Sequence, residues 1–171
     1  LMFEERRTAA KVCEHLESLH IEHVAGLAGG TGVLAFLPAS TAPDNARTIA
    51  LRADMDALPI KEETGRDYAS TTHGVMHACG HDGHTAILLA TARALSSMNE
   101  RPNNVVFIFQ PAEEGGAGAD KMCHDGALDG THFGKPVDMI YGLHGWPELT
   151  VGMVATRTGP LLAATDEFTV T

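Results

Sequence analysis

Cysteine, basic residues and long apolar runs are all scarce in this chain. Its three cysteines, Cys13, Cys79 and Cys123, are an odd and widely spaced set. They cannot all pair within one chain and do not form the dense framework of a small secreted domain, so a reducing cytoplasm is the expected compartment. Lys and Arg number 12 against 22 Asp and Glu, a net charge of -10. That balance repels phosphate backbones and anionic headgroups, which argues against nucleic acid and membrane partners. No stretch approaches the ~18 apolar residues that span a bilayer. The opening LMFEERRTAAK shows no basic-then-apolar leader. What is present is ordinary for a globular protein: 44% hydrophobic and 20% charged residues over 171 positions, enough for one core but not for a second full domain.

Apolar residues at helical spacing from Phe3 to Leu19 predict an amphipathic helix covering one face of a sheet. Two short apolar runs, Ile21 to Ala25 and Val33 to Leu37, are punctuated by glycines and predict a hairpin or two neighbouring strands, followed by a turn-rich break over 38–45. Thr48 to Ala53 reads as a buried strand delivering Asp54 and Asp56 at its C-terminal end. After a long polar loop, Asp82 to Met98 predicts a helix with Asp82 as a capping residue. Val105 to Phe109 is a wholly apolar strand, and a helix follows from about Ala117 to Leu128. Val137 to Leu143 and Val151 to Arg157 read as further strands, and Glu167 to Thr171 as the opening of another. Helices alternating with short apolar strands imply an α/β fold, a three-layer sandwich with a mostly parallel central sheet flanked by helices.

The segment from His77 to His84 packs three histidines, a thiol and a carboxylate into eight positions just before a predicted helix. In an extended segment, residues i and i+2 face the same way, so Cys79 and His81 would point at one site while Gly80 lets the backbone approach. A thiolate beside an imidazole favours zinc, manganese, cobalt or nickel over calcium or magnesium. His73, His77 and His84 read as supporting or solvated residues, with His77 or His84 able to orient a ligand through its other ring nitrogen. Glu113 and Glu114 follow an apolar strand in a Gly-rich turn. Adjacent side chains diverge, so one carboxylate can coordinate a metal while the other acts as general base, helped by the like charge beside it. His144 ends another apolar run and is a fourth candidate ligand. Asp56 is placed either to assist a ligating group or to cap its loop. Cys13 and Cys123 are expected to pack, and His15, His20, His23, His124 and His132 to lie on the surface. The stretch from Gly115 to Gly118 lacks the Lys and Ser/Thr of a phosphate-binding loop.

Four segments, RADMDALPI (from Arg52), HACGHDGHTA (from His77), FQPAEEGGAGA (from Phe109) and GLHGWP (from Gly142), occur in order along most of the chain. Together they resemble the metal-dependent amidohydrolases that include hippurate hydrolases, N-acyl-L-amino acid aminoacylases and auxin-conjugate hydrolases. The resemblance implies a zinc-peptidase-like catalytic domain holding two divalent metal ions, with Cys79, His81, Glu114 and His144 as ligands. It implies Glu113 as the general base in hydrolysis of N-acyl or N-aroyl amino acids, and Asp56 as the aspartate that steadies the site from behind. An N-acetyl-diaminopimelate deacetylase, a peptidase, or a silent metal-binding fragment are the alternatives. It also implies that residues 1–160 form the N-terminal part of the catalytic domain and that 161–171 enter a lid and dimerisation domain. On that reading the full-length form is a homo-oligomer, a last metal-binding histidine lies further on, and the final strands of the sheet are absent, leaving an uncovered edge.

Overall fold

The computed structural model describes residues 1–41 and 43–162. Its elements are α1 (Arg6–Ser18), β1 (Glu22–Leu27), β2 (Gly32–Leu37), a short 3-10 turn (Pro43–Asn45), β3 (Thr48–Asp54), α2 (His81–Ser96), β4 (Asn104–Gln110), α3 (Gly118–His124) and β5 (Met139–Gly142). The five strands form one sheet in the order β1-β2-β4-β3-β5.

The α/β class and the flanking helices agree with the sequence reading, but the sheet is mixed rather than mostly parallel. β1 pairs antiparallel with β2 and β2 antiparallel with β4, whereas β3 runs parallel to both β4 and β5. The connections account for the difference. A four-residue link can only reverse the chain into a hairpin, while the crossover that carries α2 returns β4 alongside β3 in the same direction. One consequence governs the site: β3, β4 and β5 all point their carboxyl ends at one edge of the sheet.

β4 shows how the layers are built. Each of its residues is buried, and alternate side chains go to opposite faces, as the two-residue period of a strand requires. Val105, Phe107 and Phe109 meet Val12 and Leu16 of α1 and Leu88 and Ala92 of α2. Val106 and Ile108 meet Met122 of α3 together with Leu34 and Ala50. Covering both faces explains why the strand reads as a continuous apolar run. On α2 the buried positions are His81, His84, Thr85, Leu88 and Ala92. The stripe that docks this helix on the sheet therefore becomes polar at its first turn and carries two imidazoles to the sheet's edge.

Several element boundaries differ from the sequence reading. α1 begins at Arg6 rather than Phe3, because Phe3 adopts a left-handed φ of 59° that a helix cannot contain. α2 starts at His81 with Gly80 as its N-cap, so Asp82 lies in the first turn and does not cap. α3 is shorter than 117–128, since Asp125 is its C-cap and Gly126 has a φ of 84°. Residues 151–157 are exposed throughout and form no strand. A strand needs a ladder partner for its N–H and C=O groups, and no described strand pairs with this stretch. β5 pairs only with β3 among the described strands, leaving Met139, Ile140 and Tyr141 between 43% and 54% exposed. Glu167–Thr171 lies outside the described residues. No described helix is long and apolar enough to cross a membrane.

Phe107 is fully buried at the centre of this packing, so Phe107→Ala is expected to cost ~3–5 kcal/mol. Ile140→Ala on the open edge should cost under ~1 kcal/mol. Urea denaturation midpoints distinguish the two, and equal losses would displace Phe107 from the core.

Candidate metal centre

The carboxyl edge of the sheet collects the polar residues. β3 ends on Asp54, with Asp56 two residues on, and both are buried. Cys79 and His81 arrive differently from the extended arrangement expected. Gly80 sits between them with a left-handed φ of 87° and turns the chain into α2, so a turn and a helix start, rather than a strand, bring the thiol and imidazole together. Glu113 and Glu114 follow β4 in a tight turn. A Cβ at Gly118 would overlap the Pro111 carbonyl, so this turn requires glycine there. The same turn is braced by Glu5, a buried carboxylate that accepts hydrogen bonds from the Ala112 N–H at 3.0 Å and the Thr31 hydroxyl at 2.8 Å. His144 follows β5 on an exposed loop.

His81 is fully buried at the centre of the group. Its Nδ1 lies 3.1 Å from Asp56 Oδ1. Asp56 Oδ2 also accepts the Glu114 backbone N–H at 3.1 Å. With Nδ1–H committed to Asp56, the lone pair of Nε2 faces inward, 3.6 Å from Asp54 Oδ2, 3.7 Å from Glu114 Oε1 and 3.9 Å from Glu113 Oε2. His81 Nε2 and Glu114 Oε1 are buried without hydrogen-bond partners. On the other side, Cys79 Sγ lies 3.4 Å from His144 Nε2, while His144 Nδ1–H donates to the Gly145 carbonyl at 2.7 Å. All six residues singled out from the sequence, Asp56, Cys79, His81, Glu113, Glu114 and His144, thus lie around one point.

Charge shapes their protonation. Burial disfavours a charged His81, but the Asp56 hydrogen bond and the nearby carboxylates of Asp54, Asp56 and Glu114 outweigh it and raise the imidazole pKa. Burial likewise works to raise the pKa of Asp56, yet the bonds from His81 and from the Glu114 and Glu113 backbones leave it lowered. Burial first, and then Glu114, Glu113 and Asp54, push the Cys79 thiol up to about 11.

Three groups of side chains have ligand atoms close enough for one ion: Cys79/His81/His144, Asp54/His81/His84 and His81/Glu113/Glu114. In the second, His84 has both ring nitrogens engaged, Nδ1 with Asp54 Oδ1 at 2.6 Å and Nε2 with the Gly145 N–H at 2.8 Å. The other two meet at the open Nε2 of His81. Among the described residues, Arg52 is the basic side chain paired into this cluster, bonded to Asp54 at 2.7 Å. Four carboxylates, a thiol and an unpaired imidazole nitrogen with so little positive charge suit a divalent transition metal, which would satisfy both orphaned atoms. The Asp54–His84 pairing and the bracing by Glu5 were not legible in the sequence. Both join residues far apart in the chain, and only the H-x-x-H spacing of His81 and His84, which places them on one helix face, hinted at the first.

Thiol, imidazole and carboxylate donors thus gather at the carboxyl edge of an α/β sheet as a candidate metal centre. The sequence profile of peptidase family M20/M25/M40 matches residues 50–170, and the chain belongs to that family. It is 53% identical over 123 residues to the N-acetyl-L-cysteine deacetylase of Bacillus subtilis, covering 71% of this chain and 28% of the relative. It is 43% identical over 171 residues to the N-acyl-L-amino acid amidohydrolase of Geobacillus stearothermophilus, covering 98% and 43%. Among solved structures, the YXEP protein of Bacillus subtilis, a dinuclear metal binding peptidase from the M20 family, superposes with a TM-score of 0.77 at 41% identity, over 89% of this chain and 40% of that one. The chain therefore spans less than half the length of these relatives.

Because carboxylates help hold the Cys79 thiol up at about 11, Glu114→Gln should lower its pKa in the metal-free chain. Ultraviolet titration of thiolate absorbance, with Cys79→Ser as the blank, reads the shift. An unchanged pKa would remove Glu114 from the causes of the shift.

Proposed function

We propose that the protein carrying this chain hydrolyses the amide bond of N-acyl or N-aroyl amino acids, with two divalent metal ions held by Cys79, His81, Glu114 and His144. The observation that carries the reading is the convergence of these residues and Glu113 on the unpartnered Nε2 of His81. The two glutamates differ in a way that supports a division of labour. Glu114 is 20% exposed and holds a buried, unpartnered oxygen, as suits a ligand, whereas Glu113 is 42% exposed, as suits a group that exchanges protons with substrate.

Metals bound there would polarise the scissile carbonyl and acidify the attacking water. Glu113 takes a proton from that water as its oxygen adds to the carbonyl carbon. It returns the proton to the amide nitrogen as the C–N bond breaks, releasing a carboxylate and a free amino acid. Asp56 holds the His81 ring by Nδ1 and the Glu114 backbone by its N–H, which fixes both residues before substrate arrives. The similarity to deacetylases and acylamino-acid hydrolases supports a small N-acyl amino acid as substrate, with N-acetylcysteine and N-acetyl-diaminopimelate as members of the test panel beside N-benzoyl amino acids. Zinc, manganese, cobalt and nickel all suit the donor set. In a second reading, supported by the exposure of His144, the 171-residue chain binds metal but turns nothing over by itself.

Metal stoichiometry and hydrolysis of that panel, on this chain and on a C-terminally extended form, separate these readings. Turnover only in the longer form supports the second reading for the chain alone, while neither metal nor turnover in either form removes both. Glu113→Gln should keep its metal and lose at least ~100-fold in kcat. Equal loss of metal would assign Glu113 as a ligand. Cys79→Ser should lose metal affinity first, since a hydroxyl is a poorer ligand than a thiolate, and unchanged metal content would take Cys79 out of the site.

A further inference from the structure

We propose that His84 is a positioning residue that clamps the Gly145 peptide and thereby sets the tautomer and orientation of His144. The inference rests on the reading of His144 as a metal ligand. His84 lies one helical turn beyond His81 on the same buried face of α2. Its Nε2 is 2.8 Å from the Gly145 N–H. A backbone N–H can only donate, so Nε2 carries the lone pair and Nδ1 carries the proton, which goes to Asp54 Oδ1 at 2.6 Å. Neither nitrogen is left for a metal, so His84 serves the site through its neighbours.

Asp54 is itself anchored. Its second oxygen accepts from Arg52 Nη1 at 2.7 Å, and Arg52 Nε donates to Gln110 Oε1 at 2.8 Å. The Thr85 hydroxyl donates to the Asp54 carbonyl at 2.9 Å. A continuous chain of polar contacts therefore runs from the end of β4, through the end of β3 and the first turn of α2, to the loop after β5.

Gly145 passes the constraint on. Its N–H is bound to His84, and its carbonyl accepts the Nδ1 proton of His144 at 2.7 Å. The bound N–H lies in the peptide plane that joins His144 to Gly145, so it anchors the backbone beside the ring, and the bond to the Gly145 carbonyl holds His144 as the Nδ1–H tautomer with its Nε2 lone pair facing Cys79 Sγ, 3.4 Å away. The ring centroids of His84 and His144 are 4.7 Å apart, which leaves little room for the second imidazole to turn. The clamp matters because residues 141–150 are exposed throughout. Among the described residues, the polar contacts that tie 143–150 to the body of the fold are Gly145 to His84 and His144 to Cys79. Without the first, the imidazole would have to be ordered by the metal itself, and the cost would appear as lost affinity.

The test uses Co2+ alone, titrated into the full chain by competition with a chelating dye. His84→Phe keeps a ring but removes the acceptor, and is expected to weaken Co2+ binding ~10–100-fold. His84→Gln restores an amide oxygen near the position of Nε2 and should recover most of that loss. In the unmutated, metal-free chain, imidazole nitrogen chemical shifts should report His144 protonated at Nδ1, a measurement that needs neither a variant nor a metal. Wild-type affinity in His84→Phe, equal weakening in the Gln and Phe variants, or a His144 protonated at Nε2 would each overturn the proposal. Undiminished Co2+ affinity in His144→Ala would instead overturn the ligand reading of His144 on which it rests, so the two failures are distinguishable.

Discussion

Burying His81 completely at the first turn of α2 is tolerable because Asp56 accepts its Nδ1 proton at 3.1 Å, and that bond organises the polar end of the fold. It selects the tautomer that leaves Nε2 open, and it keeps the ring facing Asp54, Glu113 and Glu114. The other oxygen of Asp56 reaches the Glu114 backbone. One carboxylate thus links the ends of two parallel strands to the start of the helix between them.

The sheet makes this linkage possible. β3, β4 and β5 share a direction, so the segments after them emerge at the same edge, where α/β sheets present their ligand-binding loops. Both faces of β4 are covered by helices, which leaves the carboxyl edge as the place where polar side chains can gather without breaking the core. The tight turn after β4, held by Glu5 and by the absence of a side chain at Gly118, then brings Glu113 and Glu114 to 3.9 and 3.7 Å from His81 Nε2.

The site is unevenly supported. Asp56, His81 and the Glu114 backbone are tied into buried structure, whereas His144 lies on an exposed loop after an edge strand. Few polar contacts tie that loop to the body of the fold, which places it among the less constrained parts of the structure. The chain from Gln110 through Arg52, Asp54 and His84 to Gly145 carries rigidity from the strands to that loop.

Much of this was legible from residue types and spacing. Val105 to Phe109 read as a wholly apolar strand, the Ala/Leu-rich stretch after His81 read as a helix, and polar residues at the ends of apolar runs marked the edge where they gather. Asp56, Cys79, His81, Glu113, Glu114 and His144 were identifiable because their residue types are scarce in apolar surroundings unless they have work to do there. Tertiary structure decided the rest. The antiparallel pairing of β2 with β4, the failure of 151–157 to form a strand, and the pairing of Asp54 with His84 all depend on which groups meet across the fold. A sequence specifies local preference and chemical type, whereas a ladder partner or an imidazole tautomer is set by the group that satisfies it, often from a distant part of the chain.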